Sequence, residues 1–161
     1  MLRFQKILCP TDFSEDSTQA LEAACELAAT FQCELHLLHV FEGYDTIVLN
    51  PNLAMTPMAT WLPQLRQLCR EKLSELPGRE WQTRCTVVRV NHEGSPIVEI
   101  LNYARANRID LIVMATHGRT GLKHLLLGSV AENIVRHASC PVLTMRVREP
   151  TSANPKNVTS H

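Results

Sequence analysis

The chain has 161 residues, 45% hydrophobic and 20% charged, enough for one folded domain with a substantial core. Sixteen basic residues balance sixteen acidic ones, so no chain-wide field favours nucleic acid or an anionic membrane surface. No apolar stretch approaches the roughly 20 residues of a membrane-spanning helix, and "MLRFQKILCP" has no apolar segment long enough for a secretory signal.

The apolar pattern alternates between strand and helix. Lys6 to Cys9 reads as a short strand closed by Pro10. Ser14 is placed to cap a helix whose first turn holds Glu15 and Asp16. Its inner stripe is Ala20, Leu21, Ala24, Leu27, Ala28 and Phe31. "ELHLLHV", from Glu34 to Val40, reads as a second strand. Its His36 and His39 are three apart and fall on opposite faces, so they are expected to be separate polar strand positions, not a shared ligand site.

Residues 41–60 hold two prolines and no clean period, as expected of a long loop or lid. Within it Met55 and Met58 are expected to pack locally. A helix from about Thr60 to Leu76 should follow, ended by Pro77-Gly78. Arg84 to Val90 reads as a third strand. In "HEGSP", Gly94 turns, Ser95 caps and Pro96 suits the first helical position, with Ile97, Ile100, Leu101 and Ala104 inward. "LIVMA", from Leu111, has the continuous apolar character of a central parallel strand. A helix is expected from Val130 to His137, with Ser129 and Glu132 as a capping box and Ala131, Ile134, Val135 and Ala138 as its stripe. "VLTMRV", from Val142 to Val147, alternates as an edge or interface strand does. From Glu149 the sequence is a polar tail, expected to be disordered.

Five strands and four intervening helices in this order imply an α/β fold. The sheet should be parallel, with helices on both faces and right-handed crossovers. Ligands of such sheets bind beyond the carboxyl ends of the strands, where the strand order switches direction. Pro10, Thr11 and Asp12 fall there after the first strand, Val40 after the second, and the segment from Ala115 to Ser129 after the fourth.

That segment, "ATHGRTGLKHLLLGS", holds three of the six glycines, with Arg119 and Lys123 and no acid. Glycine lets main-chain amides turn inward and lets a ligand approach without a Cβ in the way. Successive amides, and the positive end of a helix, favour an anion. The rival reading is a plain turn: turn glycines at Gly118 and Gly121, solvated Arg119 and Lys123, a capping Ser129 and a helix-entry Asp12. There is no G-x-x-x-x-G-K-[ST], which excludes a P-loop NTPase. Nor is there a G-x-G-x-x-G after the first strand, which argues against the usual dinucleotide fold. Six cysteines without a C-x-x-C pair are expected to be reduced thiols of a cytoplasmic protein. Seven histidines show no zinc spacing, so no metal site is expected.

Across residues 2–148 the sequence closely resembles the universal stress protein domain. The residues that carry the likeness are "ILCPTDFSEDSTQAL", "LHLLHV", "GSPIVEIL" and "DLIVMATHGRTGLKHLLLGSVAENIVRHASCPVL", in that order. The family's nucleotide-binding pattern, G-x-x-G-x9-G-[ST], aligns on Ala115, Gly118, Gly128 and Ser129. Ala115 departs from it by one methyl.

The resemblance implies a Rossmann-like sheet of order 3-2-1-4-5, with a domain over 1–148 and a tail over 149–161. It implies bound ATP, with Mg2+ held through the phosphates. Pro10, Thr11, Asp12 and Val40 would lie near adenine and ribose, and Met114, Ala115, His117, Gly118, Arg119, Gly121, Gly128, Ser129 and Val130 around the remainder. It also implies a cytoplasmic homodimer through the last strand, acting in stress response, with no nucleic-acid or membrane partner. No general base is evident near the γ-phosphate, so at most slow hydrolysis is expected. The alternatives are a nucleotide-free dimeric interaction module and, third, an enzyme of the wider adenine-nucleotide α-hydrolase-like group.

Overall fold

The computed structural model describes residues 3–42, 58–116 and 127–146. In chain order these form β1 (Lys6–Thr11), α1 (Glu15–Phe31), β2 (Glu34–Phe41), α2 (Met58–Glu75) and α3 (Arg79–Gln82), then β3 (Thr86–Glu93), α4 (Pro96–Ala106), β4 (Leu111–Ala115), α5 (Ser129–His137) and β5 (Val142–Met145). The five strands make one parallel sheet of order β3-β2-β1-β4-β5. Residues 43–57, with Met55 of the expected lid, and the tail from Glu149 lie outside the described residues.

Alternation along the strands sorts the core into two layers. Ile7 and Cys9 of β1, Leu35 and Leu37 of β2, and Leu111 and Val113 of β4 face α1 and Leu73 of α2. Leu8, Leu38, Ile112 and Met114 face Ile100, Tyr103 and Ala104 of α4 and Ala131 and Ile134 of α5. Helices therefore cover both faces, and β4 is buried along its whole length, as its apolar run predicts.

The two histidines of β2 are buried and hydrogen-bonded. His36, 4% exposed, meets the Tyr103 hydroxyl at 2.7 Å and so ties β2 to α4. Burial lowers its pKa, with Glu34 acting in the opposite direction. His39 lies on the opposite face, where Nδ1 donates to the Thr11 carbonyl at 2.8 Å. At the amino ends of the strands, Asp110 Oδ2 accepts from the amides of Gln5 (2.7 Å) and Lys6 (2.9 Å). No disulfide joins any of the six cysteines. Burial pushes the Cys25 thiol up to about 12, which makes it a poor nucleophile.

Several expectations are corrected. Pro10 does not close β1; it lies inside the strand, in register with Leu38. The third strand starts two residues later than expected and runs on to Glu93. The short α3 follows Pro77-Gly78 and was not expected; its four residues are too few to show a helical period. Ser95 holds the cap position of α4, but its hydroxyl makes no capping bond. The last strand is at the sheet edge, as its alternation predicts, yet stops at Met145.

Candidate functional site

The β1–β4 ladder ends at Leu8–Ile112, whereas the β1–β2 ladder continues to Thr11–His39. Past Leu8 no further pair joins the two central strands, and 9–12 and 113–116 carry on to the carboxyl end of the sheet. This is the point where the strand order switches direction. The Gln5 carbonyl accepts from Glu34 of β2, and the Lys6 carbonyl accepts from Asp110 beside β4, each at 2.9 Å. Main-chain groups of even residues in β1 therefore face β4. Pro10 falls on that side, past the end of the ladder, so its missing N–H breaks no sheet bond.

The same alternation governs β2. The Glu34 amide faces β1, so the Val40 carbonyl does too. Continued in register, its donor would be the Phe13 amide. That amide donates instead to Thr11 Oγ1 at 3.1 Å, because the chain turns at Phe13 with φ 63°. The Val40 carbonyl, on the β1 side of β2, therefore does not receive the Phe13 amide.

Asp12 follows β1 at this end of the sheet. Its Oδ1 accepts from the Ser14 amide (3.0 Å) and from Ser14 Oγ, and Ser14 Oγ caps α1 through the Ser17 amide at 3.2 Å. Asp12 is thus a helix-entry residue, and its carboxylate is at the same time held at the carboxyl end of β1. Pro10, Val40 and Met114 lie on the α4/α5 face of the sheet, where Val130 packs against the same apolar layer. Thr11 and Ala115 fall on the α1 face, and Ala115 ends β4 opposite Met145. An extended backbone there accommodates the extra methyl.

The neck of the loop after β4 is closed by Thr116. Its amide donates to the Met145 carbonyl at 2.9 Å, and its carbonyl accepts from the Gly128 amide at 2.7 Å. Gly128, not Ser129, is the N-cap of α5, and no side chain caps this helix among the described residues. Ser129 is the first helical residue. Glu132 turns along the helix to Arg136, 2.9 Å away, so the expected capping box does not form. Among the described residues, no side chain bonds the amides of Ser129, Val130 and Ala131 that begin α5, and they carry the helix's positive end. The expected site residues His117, Gly118, Arg119 and Gly121 lie outside the described residues.

Sequence reasoning missed Phe13, His39 and Thr116. The Phe13 ring leans on the His39 imidazole with centroids 4.2 Å apart. The pairing of "CPTD" with "LLHV" across two strands was the available signal, but it needs the register.

The sequence profile described as the Universal stress protein family matches residues 3–146. The chain belongs to the universal stress protein family. It is 33% identical to Universal stress protein MJ0531 of Methanocaldococcus jannaschii, over 89% of this chain and 82% of that one. Among solved structures it is similar to MJ0577 of the same organism, at 29% identity and TM-score 0.74, covering 92% of this chain and all of that one. It shares the fold of a universal stress protein in complex with cAMP, at 20% identity and TM-score 0.65, covering 90% of this chain and 98% of that one. It also shares the fold of the Archaeoglobus fulgidus protein in complex with dAMP, at 16% identity and TM-score 0.59, covering 89% and 98%. No helix among the described residues is long and apolar enough to cross a membrane.

Proposed function

We propose that this universal stress protein binds an adenine nucleotide, ATP foremost, in the crevice between β1 and β4. The observation that carries the reading is the α5 N-terminus. It opens beside the end of β4 with three first-turn amides that no side chain among the described residues caps. Unpaired amides and a helix dipole there suit phosphate oxygens. No carboxylate occurs from Leu111 to Ala131 to repel them. The Gly128 amide is not a donor in this account, because Thr116 takes it.

At the nucleoside end, the Val40 carbonyl accepts from an exocyclic amine, and the Asp12 carboxylate accepts from ribose or base. Pro10, Met114 and Val130 supply the apolar walls. Gly118, Gly121, His117 and Arg119 complete the phosphate cradle, and Mg2+ would be held through the phosphates alone. The complexes of family members with cAMP and dAMP support the ligand class. Nucleotide is a ligand here, not a substrate for rapid turnover. It stabilises the bound form by mass action and so alters what the protein presents to partners.

A homodimer through β5 goes with this reading, as does a place in the cytoplasm; the edge position of the strand supports the former. Among the described residues its outer side has no strand partner, and Leu143 is 41% exposed. Mass spectrometry of protein purified without added nucleotide tests the proposal. Retained ATP or another adenine nucleotide is expected. Its absence, together with no heat on titrating ATP, leaves the nucleotide-free interaction module as the reading.

A further inference from the structure

We infer that Thr11 sets the base specificity of the crevice by holding the Phe13 amide away from the Val40 carbonyl. This rests on the nucleotide reading above. The Thr11 hydroxyl is buried and lies 3.1 Å from Ser17 Oγ. Ser17 Oγ spends its own proton on the Ser14 carbonyl at 2.9 Å. The Thr11 proton must therefore go to Ser17, which leaves only lone pairs for a third group. The Phe13 amide takes one of them at 3.1 Å. Thr11 Oγ is thus an acceptor for Phe13 and has no proton to offer a ligand.

The turn this creates is held from three sides. Phe13 sits at φ 63°, a conformation that bulky residues avoid. Its ring packs on His39, and the Lys72 ammonium lies 5.7 Å from the ring centroid. The His39 Nδ1 proton fixes the Thr11 carbonyl at 2.8 Å. Without the Thr11 hydroxyl, the nearest acceptor for the Phe13 amide in ladder register is the Val40 carbonyl. That bond would close the position where a purine 6-amino group donates. Thr11 is a positioning residue and does not itself touch the base.

Calorimetric titration of the full chain with ATP and with ITP, which has a carbonyl in place of the 6-amino group, tests this. Wild type should bind ATP about tenfold tighter than ITP, the worth of one neutral hydrogen bond. Thr11→Val, nearly isosteric, should bring the ratio within about twofold by weakening ATP alone, and Thr11→Ser should restore it. If Thr11→Val does not fold, Thr11→Ala makes the same comparison. A Val or Ala variant that keeps the wild-type ratio, or a wild type that binds both ligands equally, overturns the inference and leaves ATP binding standing. A wild type that binds neither ligand overturns the nucleotide reading itself.

Discussion

The Gly128 amide donates to the Thr116 carbonyl at 2.7 Å, so a main-chain bond ties the residue after β4 to the N-cap of α5. Gly128 has φ −70° and ψ 159°, values that alanine and proline both accept. Gly128→Ala keeps the amide and Gly128→Pro deletes it. In chemical denaturation the Pro variant should be less stable than the Ala variant by about 0.5–1.5 kcal/mol, the net worth of the lost main-chain bond. Equal stability would show that the bond does not hold the neck.

Ala115→Gly restores the glycine of the family pattern at the end of β4. Ala115 is 8% exposed and extended, so its methyl sits in the sheet without strain. Glycine should cost about 0.5–1 kcal/mol through the entropy of the unfolded chain. Affinity for ATP, read by calorimetry, should rise or stay level. A large loss would mean that Ala115 does not occupy the place of the pattern's first glycine.

Asp110 clamps the amides of Gln5 and Lys6 at the amino ends of the strands, far from the crevice. Asp110→Ala leaves both amides to water or unpaired and should lower stability by about 1–3 kcal/mol. The dissociation constant for ATP should not change. A joint loss of stability and affinity would mean that the two ends of the sheet are coupled.

His36 gives the protein an acid-sensitive stability. Burial holds its pKa below the ordinary 6.5, so below that pH the unfolded chain takes up a proton that the folded chain resists. Stability from this residue is complete above 6.5 and falls as the pH drops below it. His36→Phe combined with Tyr103→Phe removes the titrating group and its partner together. The double variant should show a shallower fall in Tm between pH 7 and 5. An unchanged slope would place the acid sensitivity elsewhere.

Periodicity and caps made most of the fold legible. The Ala20 to Ala28 stripe, the Ser14 cap and the unbroken apolar run of β4 each report a local environment, and the sheet order came from the family resemblance. Pro10 misled because proline usually ends strands, and only the early end of the β1–β4 ladder makes it harmless. Ser129 misled because S-x-x-E fits a cap one residue too late; the cap belongs to Gly128, fixed by Thr116 from another element. Asp12 was a candidate from its place just after β1, and Val40 from the carboxyl end of β2, where the strand runs one residue further than expected. The diversion of the Phe13 amide was not, because it depends on register between β1 and β2 and on a left-handed residue that composition does not announce.

Gly128→Asp measures the claim that α5 amides hold phosphate. An aspartate at this N-cap would reach the amides of Val130 or Ala131 and place a negative charge where phosphate is proposed. The ligand-free variant should melt no lower than wild type, while calorimetry should show ATP binding weakened by a hundredfold or more, about 2.7 kcal/mol. A folded Gly128→Asp protein that binds ATP as tightly as wild type would contradict the account.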